Sequence, residues 1–270
     1  MFWTLFIQAL AALSPVTGTQ TPQPPVPAVI SRVPVADKRI AFSFDDGPNV
    51  RYTPQFIAML QRYGAHATFF LIGSEAQQNP QIIRTLHTAG MEIGNHGMRH
   101  RYLHSDDPGV ALQEVRAGEQ AIVAAGVPRP TLYRLPGGIG GPRVRLAVGS
   151  RGYRLIGWSI DPRDSIRGTS SAQIAQTVLR DAAPGAIVLM HDGPATRREP
   201  TLQALGKILP ALKAQGYTVC SVGELLQASR TSSYRETLRA PRPRMYGMNS
   251  KRAACSISHP EACVRPWRSA

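Results

Sequence analysis

The chain has 270 residues, of which 43% are hydrophobic, and a formal net charge of +14 at pH 7. This length suits one large domain, an α/β barrel included, or two small ones. After the N-terminus no apolar run approaches the roughly 20 residues that a membrane-spanning helix needs, which argues against a multi-span membrane protein.

The first 36 residues do not show the pattern of a folded domain. Residues 2–14 form an apolar run of the length found in export signals, too short to cross a bilayer comfortably. No Lys or Arg precedes Arg32, so the basic segment that usually opens such a signal is missing. We predict export, with a cytoplasmic location left open. The Thr-, Gln- and Pro-rich residues 18–34 are typical of an extended linker.

From residue 37 the chain alternates short apolar runs with stretches of helical period. Strands are predicted at residues 40–44, 67–72, 91–93, 131–135, 155–160, 186–190 and 217–222. Helices are predicted at residues 53–62, 80–88, 110–125, 143–150, 172–182 and 202–215. This alternation with short loops favours a parallel βα barrel or a doubly wound sheet, as a single domain over residues 37–228.

The C-terminal segment, residues 229–270, carries nine Arg or Lys against two Glu, which gives it a net charge of +7. Its Ser, Arg and Pro content predicts little fixed structure. Such a tail suits anionic surfaces, but it lacks the aromatic-interleaved basic motif of specific nucleic-acid binding. Cys255 and Cys263 could pair there in an oxidising compartment, whereas Cys220 is predicted to be a buried free thiol.

The reactive side chains of the predicted domain fall where strands end. In parallel βα folds the carboxyl ends of the strands form the edge that carries the active site. The residues at these positions are Asp45 and Asp46, His96 and His100, Arg134, Asp161 and Asp164, and His191 and Asp192.

Two of these groups point to a metal site. Adjacent carboxylates such as Asp45 and Asp46 repel each other unless a cation or a donor offsets the repulsion, and strand geometry predicts that they point in opposite directions. The spacing of His96 and His100 predicts two imidazoles on one face of a helical turn, a spacing that suits one metal ion. A carboxylate as third ligand would leave coordination positions open, as in catalytic sites.

Five ordered motifs resemble those of the NodB-homology polysaccharide deacetylases, carbohydrate esterase family 4. They are Phe44-Asp45-Asp46-Gly47-Pro48, His96-x-x-x-His100, Arg134-x-Pro136, Asp161-x-x-Asp164 and Leu189-x-His191. The resemblance covers residues 37–228. It implies a deformed (β/α)7 barrel, a divalent metal that is usually zinc, and removal of N-acetyl groups from N-acetylglucosamine glycans such as chitooligosaccharides, peptidoglycan or exopolysaccharides.

Carried over by position, the resemblance implies that Asp46, His96 and His100 are the metal ligands. It implies that Asp45 is the general base that takes a proton from the metal-bound water, whose pKa the cation lowers. It implies that His191 is the general acid that protonates the departing amine.

The same resemblance implies four supporting roles. Arg134 would pair with the base and Asp164 with the acid, so that the base stays ionised and the acid stays protonated. The backbone N–H of Gly137 would hold the oxyanion. Leu189 would line the pocket for the acetyl methyl group.

Three positions depart from the family pattern. Gly97 stands where the family usually has Ser or Thr, which predicts the loss of one hydrogen bond that fixes the loop. Gly137 and Ser165 stand where the family usually has aromatic residues. These two replacements predict a more open substrate groove.

Two other functions compete with glycan deacetylation. The first is hydrolysis of a small amide without metal, which the intact set of Asp46, His96 and His100 argues against. The second is a glycan-binding pseudoenzyme, which the presence of both Asp45 and His191 argues against.

Overall fold

A computed structural model of the protein describes residues 24–103, 107–193 and 197–229. Its centre is an eight-stranded sheet with the order β1-β6-β5-β4-β3-β2-β7, and β8 also pairs with β2. The strands are β1 Val29–Ile30, β2 Arg39–Asp45, β3 Thr68–Leu71, β4 Glu92–Asn95, β5 Leu132–Tyr133, β6 Arg154–Ile156, β7 Ile187–His191 and β8 Thr218–Cys220.

Helices follow most of the strands and pack outside the sheet. They are α1 Thr53–Arg62, α2 Gly73–Gln78, α3 Pro80–Thr88, α4 Pro108–Val123, α5 Pro142–Gly149, α6 Ser171–Asp181 and α7 Glu199–Ala214. A further helical stretch covers residues 222–229. No helix within the three described ranges is long and apolar enough to cross a membrane.

All paired strands run parallel, and the sheet curls round towards closure between β6 and β7. β6 ends at Ile156, but Ile160 still forms a parallel bridge to Val188 of β7. The predicted strand over residues 155–160 is therefore interrupted, because the chain leaves the sheet and returns to it. The deformed βα barrel implied by the family resemblance is confirmed.

The strand β2 lies at the centre of the fold and is buried from Ile40 to Asp45. Its residues Phe42 and Phe44 are fully buried. The Phe44 ring packs 4.9 Å from Phe56 of α1 and 5.0 Å from Phe69 of β3. Since burying one such side chain contributes about 1.5–3 kcal/mol, this aromatic layer holds the strand, and the acids at its end, firmly in place.

The prediction of an extended linker through residue 34 is wrong for residues 29–33. Val29 and Ile30 form β1 and pair with β6, and Val33 is buried and donates its backbone N–H to Gly185. Two paired residues are too few to give a period that can be recognised in the sequence. The short helix α2, which is polar and ends before Asn79-Pro80, was also not predicted.

Cys220 is a buried free cysteine, as predicted. The predicted export signal at residues 2–14 lies outside the described residues. So do residues 230–270 of the predicted tail, including Cys255 and Cys263.

Candidate active site

Strand register brings the first acid and the last histidine together. The Cα of Asp45, the final residue of β2, is the register partner of His191, the final residue of β7. Asp192, the next residue, donates its backbone N–H to the Asp45 carbonyl at 3.1 Å. The carboxyl ends of two neighbouring strands thus place a carboxylate beside an imidazole.

The same effect operates between β4 and β5. Asn95 is the register partner of Tyr133, and Arg134 donates its backbone N–H to the Asn95 carbonyl at 3.1 Å. His96 and Arg134 follow these partners directly, so both side chains leave neighbouring strands at the same height. The predicted site residues therefore converge because their strands end at one edge.

Asp46, His96 and His100 form a cluster whose donor atoms face one another. Asp46 Oδ1 lies 3.5 Å from His96 Nε2 and 3.3 Å from His100 Nε2. The ligand atoms of the three residues all lie within 4.8 Å of one another. Asp46 Oδ1 is buried and has no hydrogen-bond partner among the described residues. An orphaned carboxylate oxygen beside two imidazole nitrogens fits a divalent cation.

The backbone conformations of this cluster differ from those predicted. Asp46 has φ of 73° and has left strand geometry, so it does not point away from Asp45. Both carboxylates approach His96 Nε2, at 3.5 Å for Asp46 and 3.7 Å for Asp45. His96 and His100 lie on a loop and not on a helical turn, since Gly97 has φ of 82° and His100 has φ of 52°.

His96 is held with one ring nitrogen turned towards the cluster. It is almost completely buried, and its Nδ1 lies 2.8 Å from the Arg134 carbonyl. Because a carbonyl accepts only, Nδ1 carries the proton and Nε2 keeps its lone pair. Burial lowers the pKa of His96, against the opposing charges of Asp45 and Asp46. The neutral imidazole is the form that binds metal.

Asp45 is paired with a buried arginine. Arg134 Nη1 donates to Asp45 Oδ1 at 2.7 Å, and the Arg134 side chain is fully buried. The same Nη1 donates to Ser43 Oγ at 2.8 Å, and Nη2 donates to the Gly157 carbonyl at 2.9 Å. The guanidinium lies 4.2 Å from the centre of the Phe70 ring. Its Nε also donates to the Ile156 carbonyl at 3.3 Å. A guanidinium held by four polar partners and an aromatic face fixes the orientation of the Asp45 carboxylate.

His191 is paired with a buried aspartate on the loop after β6. Its Nδ1 lies 2.8 Å from Asp164 Oδ1, and its backbone N–H donates to Asp164 Oδ2 at 2.9 Å. Thr201 of α7 donates its hydroxyl to the same Oδ2 at 3.0 Å. Burial lowers the pKa of His191, but the Asp164 hydrogen bond and the charges of Asp164, Asp45 and Asp46 outweigh it, so the pKa is raised.

The other predicted residues surround this centre. Leu189 lies two residues before His191 on β7, so both side chains project from the same face of the strand. Gly137 lies in the 3-10 turn Pro136–Gly138 and is exposed. Asp161 accepts the backbone N–H of Arg163 at 2.8 Å and thus caps its own loop.

An aromatic side chain, Tyr102, covers the space above Gly137. A Cβ at Gly137 would lie 2.6 Å from Cε1 of Tyr102. The Tyr102 ring is 52% exposed and packs edge-on against the His100 ring, with centroids 5.2 Å apart. An aromatic ring from the loop after β4 therefore lies beside position 137, where the family usually has an aromatic residue.

Asp192 is a buried acid that belongs to the support of the site. It is fully buried, and Thr53 of α1 donates a short hydrogen bond to its Oδ2. A Cβ at Gly47 would lie 2.5 Å from that same oxygen, so only glycine fits there. Burial raises the pKa of Asp192 to about 7, with a further contribution from Asp46.

Comparisons with known proteins agree with this geometry. The polysaccharide deacetylase family profile matches residues 32–156. A peptidoglycan-N-acetylglucosamine deacetylase of Bacillus cereus is 40% identical over 206 residues, which is 75% of this chain and 95% of that protein. A chitooligosaccharide deacetylase of a Bradyrhizobium species is 34% identical over 70% of this chain and 90% of that protein.

Solved structures show the same fold. A peptidoglycan deacetylase of Bacillus subtilis superposes with a TM-score of 0.68 at 30% identity, covering 76% of this chain and 97% of that one. A family 4 pseudoenzyme of Bacillus anthracis gives a TM-score of 0.69 at 28% identity, covering 74% of this chain and 69% of that one. The chain therefore belongs to the polysaccharide deacetylases of carbohydrate esterase family 4.

Proposed function

We propose that the protein is a metal-dependent hydrolase that removes N-acetyl groups from N-acetylglucosamine-containing glycans. The main support for this proposal is the convergence of Asp46, His96 and His100. Beside this cluster lie Asp45, which is paired with Arg134, and His191, which is paired with Asp164. The similarity to peptidoglycan and chitooligosaccharide deacetylases supports the substrate class.

The cation would be held by Asp46, His96 and His100. Two imidazole nitrogens and one carboxylate oxygen are a donor set that suits zinc, although other transition metals accept the same ligands. When bound, such a cation lowers the pKa of a water molecule and polarises the carbonyl of the acetamide.

Asp45 accepts the proton of the attacking water. Its Oδ1 is occupied by Arg134, and its Oδ2 lies 3.7 Å from His96 Nε2, so this second oxygen faces the cluster. General-base assistance of this kind contributes typically about 10²–10⁴-fold in rate. The Arg134 bond holds the carboxylate still while the second oxygen takes the proton.

His191 donates the proton that the departing amine needs. Its Nδ1 is bonded to Asp164, which leaves Nε2 as the nitrogen that presents a proton to the substrate. The raised pKa keeps a larger fraction of the imidazole protonated near neutral pH. The N–H of Gly137 would stabilise the oxyanion, and Leu189 would contact the acetyl methyl group.

Acetate release tests this proposal. The purified protein should release acetate from peptidoglycan, from acetylated chitooligosaccharides or from both, and a chelator should abolish the release. Asp45→Asn and His191→Ala should each bind the metal and lose activity. Activity that survives complete chelation would favour a metal-free amide hydrolase. Metal binding without turnover of any acetylated glycan would favour a pseudoenzyme.

A further inference from the structure

The loop that carries both histidines of the cluster adopts a conformation that needs support. Residues 96–100 lie between β4 and α4 and belong to neither a helix nor a strand. Within this loop His100 has φ of 52°, a left-handed conformation that is unfavourable for a non-glycine residue. Such a residue persists only where its surroundings determine the backbone.

Glu114 of α4 provides that support. It is 7% exposed, and its Oε2 accepts the backbone N–H groups of Met98 and Arg99, each at 2.9 Å. One carboxylate oxygen therefore binds the two residues that directly precede His100. Hydrogen bonds to an ionised acceptor are roughly twice as strong as neutral ones.

Asn95 completes the set of acceptors along the loop. Its Oδ1 accepts the Gly97 N–H at 2.8 Å, and its Nδ2 donates to the Val115 carbonyl on α4 at 2.9 Å. Three consecutive backbone N–H groups, at residues 97–99, are thus bound by side-chain oxygens. Two of the three depend on Glu114.

The helix packs directly against the loop and has no room to move closer to it. A Cβ at Gly118 of α4 would lie 2.6 Å from Asn95 Oδ1 and 2.8 Å from the Gly97 carbonyl oxygen. This direct contact between the helix backbone and the loop fixes the position of the Glu114 carboxylate relative to the loop. Gly97 has no side chain that could fix the loop, and the Glu114 bonds from α4 hold the two residues that follow it.

We infer that Glu114 is a positioning residue that fixes the loop bearing His96 and His100 and thereby sets the affinity of the cluster for its cation. The inference rests on the proposed function, since it assumes that the cluster binds a divalent metal. Glu114 acts through the loop backbone and takes no part in proton transfer. Its removal leaves two N–H groups without an acceptor and frees His100 to leave its left-handed conformation.

The test is the dissociation constant of Zn²⁺ or Co²⁺, measured by competition with a chelator on the full chain. Glu114→Ala should weaken metal binding by about 10–100-fold, the usual cost of losing an outer-shell partner. Glu114→Gln keeps an acceptor oxygen and should weaken it less. At saturating metal concentration, both variants should recover most of the wild-type kcat.

Glu92, on the strand β4 that precedes the loop, provides a matched control. It lies at the opposite end of β4, where its Oε2 accepts the Thr68 hydroxyl at 2.6 Å and the Gly223 N–H at 2.8 Å. Glu92→Ala should lower the unfolding temperature and leave the metal dissociation constant unchanged.

Three results would overturn the inference: unaltered metal affinity in a folded Glu114→Ala protein, equal weakening by Glu92→Ala, or no metal binding by the wild type. If Glu114→Ala does not fold, Glu114→Gln decides, because unaltered affinity there would overturn the inference as well. Metal binding that depends on Glu114, in a protein that releases no acetate, would refute the proposed function alone.

Discussion

Arg134 and Asp45 form a buried ion pair, with Nη1 donating to Oδ1 at 2.7 Å. Burial lowers the pKa of the Arg134 guanidinium, and the Asp45 charge opposes this effect. Breaking a buried pair by removing one partner leaves the other charge without compensation. The pair therefore links the stability of the barrel to the orientation of the proposed base.

Arg134→Met should lower both the free energy of unfolding and the activity. We expect a loss of about 3–5 kcal/mol in unfolding free energy, the usual cost of an uncompensated buried charge. Urea unfolding measures the loss, and Arg180→Met, which removes an exposed ion pair with Asp181, is the matched control. A change in unfolding free energy below about 1 kcal/mol for Arg134→Met would show that the buried Asp45 does not need the guanidinium as its partner.

Asp164→Asn should narrow the pH range of activity. Without the Asp164 charge, burial dominates and the pKa of His191 falls. The alkaline limb of the kcat/KM profile reports loss of the protonated acid, so it should move to lower pH. Asp161→Asn changes an exposed acid on the same loop and should leave the profile in place. Identical alkaline limbs for wild type and Asp164→Asn would contradict the assigned role of His191.

Removing one proposed metal ligand, His100, should weaken metal binding without unfolding the protein. His100→Ala should weaken the affinity for the cation by more than the ~10–100-fold cost of an outer-shell change, because it removes one of three donors. The metal content of the dialysed protein measures this effect. His87→Ala removes an exposed histidine of α3 and should retain full metal content. Equal metal content in the two variants would exclude His100 as a ligand.

Tyr102→Ala should raise KM for oligosaccharides more than it lowers kcat. The ring is 52% exposed beside His100 and above Gly137, where a sugar ring bound at the site could cover it. Covering about 50 Å² of apolar surface is worth about 1 kcal/mol, or roughly fivefold to tenfold in affinity.

Two variants make the Tyr102 experiment specific. Tyr102→Phe keeps the ring and should have the KM of the wild type. Tyr63→Ala, which removes a half-buried tyrosine just after α1, is the control and should also leave KM unchanged. An unchanged KM in Tyr102→Ala would show that the substrate does not contact this ring.

The sequence was sufficient to predict which side chains meet, because parallel strands end at a common edge. Asp45, His96, Arg134 and His191 all follow short apolar runs, and register alone brings them together. Their pairing with Asp164 and with one another came from the family resemblance and not from periodicity.

The conformations inside the site could not be predicted in this way. Asp46 and His100 adopt left-handed backbone conformations that no local sequence pattern indicates. The bonds of Glu114 to residues 98 and 99 join parts of the chain that show no shared pattern. The same is true of Thr53 and Asp192, which are 139 residues apart.

Asp192→Asn should stabilise the protein at alkaline pH and flatten its pH dependence. Burial raises the pKa of Asp192 from 3.8 in the unfolded chain to about 7 in the folded protein. Between these values the folded state binds the extra proton, so this group's contribution to stability is present below pH 3.8 and is lost as the pH rises to 7. A shift of roughly three pKa units corresponds to about 4 kcal/mol.

The measurement is urea unfolding of the chelator-treated wild type and Asp192→Asn at pH 4, 6 and 8. The unfolding free energy of the variant should increase relative to that of the wild type as the pH rises. The reason is that an amide stays neutral at each pH, whereas the Asp192 carboxyl must ionise in a fully buried position. Asp161→Asn, at an exposed carboxylate, should show no such trend. A constant difference between wild type and Asp192→Asn across this range would mean that Asp192 ionises as readily in the folded protein as in the unfolded chain.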